Sequence, residues 1–103
     1  MRSEETSPEQ AAARAVDPDR LLPGEDPTTR FADDARHWIE VYTELLAYKN
    51  RILAMTEEAT AAAPGTTAAS EVAETDRTVL HAERDRLHRR LSFWTRRLAE
   101  LEG

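Results

Sequence analysis

Two long stretches of apolar residues at seven-residue spacing, parted by Pro64-Gly65, constrain this chain more than any other feature. In the first stretch Phe31, Trp38, Leu45 and Ile52 form one row, and Ile39, Leu46 and Leu53 a second. Val41, Tyr48 and Met55 form a third row, with Ala35 and Tyr42 between the rows. At 3.6 residues per turn these rows cover about 200° of a helix. In the second stretch Leu80, Leu87, Leu91, Trp94, Leu98 and Leu101 follow a heptad stripe, flanked by Val72, Val79 and Phe93. A helix breaker between two long helices folds them back on each other. The expected fold class is therefore all-α, an antiparallel, coiled-coil-like two-helix hairpin.

The expected boundaries follow from local chemistry. The first helix should span residues 28–62, with Pro27 in its first turn and Asp33 and Asp34 at the positive end of its dipole. The turn falls at 63–67. The second helix covers 68–102, capped by Thr67 or Ser70. Folding at Pro64-Gly65 sets Phe31 against Leu98, Ala35 against Trp94, Trp38 against Leu91 and Tyr42 against Leu87. Lys49 interrupts the first stripe and falls near Leu80 and Glu83. A charge on an apolar stripe needs a partner, so Lys49 and Glu83 are expected to form a structural ion pair that fixes the register.

Residues 1–27 hold four of the five prolines and few large apolar side chains, and with seven acids against three arginines they carry a net charge of −4. Such a segment reads as an acidic, mostly disordered tail, because it buries too little surface to offset its ordering entropy. The alternative is a short helix over Gln10–Val16, started by the capping box Ser7-Pro-Glu-Gln10, with Leu21-Leu22 docked on the hairpin as a clip.

The chain of 103 residues is one small domain at most, and it has no cysteine for disulfides or thiolate metal sites. No secretory signal or membrane span is legible, so a cytoplasmic location is the default expectation. The enzyme motifs of phosphate loops, dinucleotide folds, zinc proteases and serine hydrolases are missing, and no enzyme activity or cofactor is expected. His81, Asp85 and His88 share a helix face but span two turns with no evident fourth ligand, so they read as a solvated face and no metal is expected. The stretch Glu44–Ala59 is comparable to the cyclic-dinucleotide motif of helical-hairpin anti-sigma proteins, E-x3-S-x2-R-x3-Q-x3-D. It matches at Glu44 and Arg51, whereas Tyr48, Met55 and Ala59 occupy the other positions, so no such ligand is implied.

What remains is contact with other proteins. A hairpin of this length buries little by itself, and its apolar rows are wider than one seam. The surplus calls for the tail or a second copy, and a homodimeric four-helix bundle is the expected assembly. Val41, Tyr48, Met55, Val79 and Phe93 are the candidate contact row. Arg89 and Arg96, which point away from the seam, are candidates for an acidic partner. The function expected is that of a non-catalytic adaptor or regulator. The alternatives are a nucleic-acid-associated protein using the arginines of residues 84–97, or an accessory subunit of a larger complex. Those arginines are expected to pair instead with Asp33, Asp34, Glu40 and Glu44 of the first helix.

Overall fold

A computed structural model describes residues 7–62 and 65–103. Among them the chain is helical without strands: α1 (Pro8–Val16), α2 (Ala32–Ala62) and α3 (Thr67–Glu102). The two long helices pack against each other as a hairpin, and α1 packs on α3. Ala63 and Pro64, on which the breaker argument rests, lie outside the described residues. Beyond them Thr66 caps α3, its hydroxyl accepting from the amide of Ala69 at 3.1 Å. That satisfies one of the orphan amide donors of a helix start.

The core lies towards the open end of the hairpin. Ala35, Trp38, Tyr42 and Leu46 of α2 meet Leu87 and Trp94 of α3. Ala35, Tyr42 and Trp94 are fully buried, a small side chain beside two large ones. Leu91, Leu98 and Leu101 complete the α3 side, and Ile39, Val41 and Leu45 the α2 side. Towards the turn, Leu53 is the only large apolar residue of the described arm that counts as buried. The outer half of the hairpin is thus a bare two-helix arm.

The N-terminal segment departs from the expected solvated tail. α1 begins with a complete capping box, the amide of Gln10 donating to Ser7 Oγ at 3.1 Å and the amide of Ser7 to Gln10 Oε1 at 3.0 Å. Residues 17–31 then form a strap built from three successive turns, each with proline in second place. In the first, the amide of Arg20 donates to the carbonyl of Asp17 at 3.2 Å. In the second, the amide of Glu25 donates to the carbonyl of Leu22 at 3.0 Å, with Gly24 at φ +85°. In the third, the amide of Thr29 donates to the carbonyl of Asp26 at 3.1 Å. Proline presets φ for the second position of a turn, and glycine tolerates the positive φ that follows in Leu22-Pro-Gly-Glu25. Asp26 accepts from the amide and hydroxyl of Thr28 at 2.9 and 2.7 Å, bonds that pull its carboxyl below the usual range. This third turn is why α2 starts at Ala32 and not at 28. Thr29 then donates its hydroxyl to Asp34 at 2.6 Å, tying the strap to the first turn of α2.

Candidate functional site: a buried carboxylate at the hairpin base

One side chain of the strap reaches the buried centre of the hairpin base. Glu25 stands on the Leu22–Glu25 turn, and its carboxylate is fully buried between the two long helices. Oε1 accepts from the Leu22 amide at 2.9 Å and from the Tyr42 hydroxyl at 2.5 Å. Oε2 accepts from the Arg90 guanidinium and from Trp94 Nε1, both at 2.6 Å. Burial alone would raise the Glu25 pKa, but the bonds from Tyr42, Leu22, Arg90 and Trp94 outweigh it and hold the carboxyl below its usual value. The phenol responds in the opposite sense. Burial, then the bond to Glu25 and its negative charge, push Tyr42 up to about 12. Leu22 packs against the core beside this centre, and Arg97 donates to the carbonyl of Thr29 at 2.8 Å.

Three arginines of α3 therefore turn towards the strap. Arg90 and Arg97 bind it directly, and Arg86 is buried alongside. Burial lowers the Arg86 pKa, and the positive charge of Arg20 on the strap lowers it further, against the opposing pull of Tyr42, Glu83 and Glu25. This corrects the expected pairing of the arginines with the acids of α2. Asp33 instead takes Arg36 at 2.7 Å and Asp34 takes the Thr29 hydroxyl, while Arg36 also reaches Glu102 across the hairpin. A carboxylate inserted from the strap is a better acceptor for Arg90, because it arrives within a water-poor core.

The candidate contact residues divide between two environments. Tyr48 and Met55 are 55% and 63% exposed. Val41 and Phe93 are half-buried against the core, and Phe93 lies edge-on to Trp94 with the Arg90 guanidinium 4.6 Å above its ring. Val79 is half-buried, and Arg89 and Arg96 are exposed. Leu22 of the strap covers part of the core, and α1 packs on α3.

Lys49 Nζ stands 3.1 Å from Glu83 Oε1, with both side chains largely shielded. Lys49→Met should cost on the order of 1 kcal/mol by stranding the carboxylate, and adding Glu83→Leu should restore most of the loss. Thermal melts of the two variants check this. Equal destabilisation by the single and double changes would show the pair to be incidental.

His81 Nε2 lies 3.6 Å from Glu57, and Asp85 is within 3.4 Å of Arg84. Among the described residues no three histidine or carboxylate side chains converge on a common point for a metal. Two surface hollows, about 240 Å³ beside Val72 and Asp76 and about 230 Å³ beside Phe93 and Arg97, are smaller than the usual small-molecule site. No described helix is long and apolar enough to cross a membrane.

No protein-family model matches the chain, and neither a curated protein nor a solved structure matches it.

The Glu25 centre was not among the residues that the sequence singled out. Its signals were the Pro23-Gly24 turn that displays a glutamate and the spacing Arg86, Arg90, Arg97 along one side of α3.

Proposed function

We propose that this chain is a non-catalytic helical-hairpin adaptor or regulator that acts through protein contacts and pairs with a second copy of itself into a four-helix bundle. The observation that carries the reading is the arm's exposed apolar face. Tyr48 and Met55 lie two helical turns apart on α2, Val72 projects from α3, and all three are more than half exposed. Each row lies on the same rotational side of its helix's buried stripe, so an antiparallel pair of helices presents both on one face. The arm behind them has little core of its own and gains most from a cover.

Charge supports a second copy as that cover. The arm end carries Glu57, Glu58, Glu71, Glu74 and Asp76, whereas exposed Arg89 and Arg96 lie nearer the base. Two copies packed antiparallel set the acidic end of one beside the arginines of the other.

Sedimentation of the full chain at micromolar concentration is expected to give twice the chain mass. Tyr48→Glu combined with Met55→Glu should give the single mass with the helix content kept. A wild-type chain that stays monomeric and melts cooperatively would overturn the pairing.

A further inference from the structure

We propose that the hairpin base is a receptor for a protein carboxylate, formed by Tyr42, Arg90 and Trp94, and that the strap is a displaceable internal occupant of it. The occupant that displaces it is an acidic protein segment presenting a glutamate on a Leu-x-x-Glu turn, with a further acid at the place held by Arg20.

The receptor side chains all belong to α2 and α3, so the strap contributes the carboxylate and, apart from its own Leu22 amide, none of the donors. The strap makes neither sheet nor helix with the hairpin. The main-chain bonds of its three turns close within those turns, the Phe31 carbonyl accepts from the amides of Asp34 and Ala35 at the start of α2, and the rest of its hold on the long helices comes from Glu25, the Thr29 carbonyl and hydroxyl, and the packing of Leu22. A segment held this way leaves as a unit, and another turn of the same chemistry seats in its place.

The strap is also an imperfect ligand. It sets Arg20 against buried Arg86, two like charges in a poorly solvated place. The Nε atom of Arg20 is also buried without a hydrogen-bond partner. Buried guanidinium donors are ordinarily satisfied, and like charges set together select against a partner. A segment with a carboxylate where the strap has Arg20 removes that unpaired donor and sets an opposite charge beside Arg86. The site therefore favours a foreign acidic turn over the chain's own. The receptor lies at the base, apart from Tyr48 and Met55 of the arm, so it stands or falls separately from the pairing of two copies. Arm variants change the mass, and base variants change peptide binding.

The probe is a fluorescent synthetic peptide of residues 17–31, made in its native sequence and with Arg20→Glu. Each is titrated into the full chain up to about 1 mM, the order of effective concentration at which a short tether competes. The Arg20→Glu peptide should bind about tenfold more tightly than the native one, since a like-charge contact becomes an opposite-charge one. Arg90→Met in the protein should abolish binding, and hydrogen exchange at residues 20–29 should quicken when the wild-type chain is loaded. If Arg90→Met fails to fold, Arg20→Glu within the chain gives the same information: the Tm should rise and the peptide's affinity should fall. Equal affinity of the two peptides, binding indifferent to the change within the chain, or no binding at all would overturn the proposal.

Discussion

Glu25→Ala should be among the most damaging single changes in this chain, costing about 3–5 kcal/mol when measured by urea denaturation. The reason is an asymmetry. The carboxylate serves four donors, and without it the Tyr42 hydroxyl, the Arg90 guanidinium and Trp94 Nε1 remain buried with their acceptor gone. The loss is bounded by the free energy of docking the strap, because a strap that lets go admits water to those donors. Two probes separate the outcomes. Tryptophan fluorescence, from Trp38 and Trp94 of the core, reports the base, and far-ultraviolet ellipticity reports the helices. Release of the strap alone moves the first and leaves the second. A variant as stable as the parent, with unchanged tryptophan emission, would show that Glu25 does not hold the strap.

The same residue sets an acid limit. Its folded pKa lies below its ordinary value, so the unfolded chain binds the proton more readily and stability rises with pH across that window. The contribution is fully present above the unfolded glutamate value of about 4.3 and is lost as pH falls through the folded one. Between pH 7 and pH 3 the wild-type chain should therefore lose more stability than Glu25→Gln, whose side chain does not titrate. Parallel losses in the two would place the acid sensitivity elsewhere, among the exposed carboxylates.

The hairpin was legible in the sequence because its determinants are periodic and local. Heptad rows place Trp38, Tyr42, Leu87 and Trp94 on facing stripes, and these are the residues that form the core. The place of the turn put Lys49 beside Glu83, and they stand within salt-bridge distance. The strap was not legible, because prolines outside any periodic stretch read as the composition of a loop. Pro18, Pro23 and Pro27 each occupy the second place of a turn, where a fixed φ lowers the entropy lost on ordering and favours structure. Nor does any local pattern mark Glu25 as buried. Its partners lie 17, 65 and 69 residues away, and an isolated glutamate beside glycine has the signature of a surface loop. What the sequence did contain was a demand from the other side. Tyr42 and Trp94 sit on core stripes with polar tips that must find an acceptor. The strap supplies that acceptor to both, through the two oxygens of Glu25.

That demand makes Trp94 the second decisive position, since it serves both the apolar core and the carboxylate. It is fully buried and ranks with Tyr42 and Leu87 among the largest such side chains. Trp94→Ala should cost about 3–5 kcal/mol through the cavity alone, a large part of the stability of a domain this size. Trp94→Phe keeps most of the ring but deletes the Nε1 donor to Glu25, and it should cost about 1–3 kcal/mol. The two effects are separable by a cycle with Glu25→Gln. If the indole acts chiefly by filling space, its cost should be the same in either background. If it also holds the strap, Trp94→Phe should cost clearly less once Glu25 is neutral, because the bond it removes is already weakened. The bonds from Tyr42, Leu22, Arg90 and Trp94 keep the carboxylate charged in the parent, so the coupling should appear at neutral pH and fade as Glu25 protonates. A cycle that closes additively at neutral pH would reduce Trp94 to a packing residue and leave Tyr42 and Arg90 as the side-chain donors that hold Glu25.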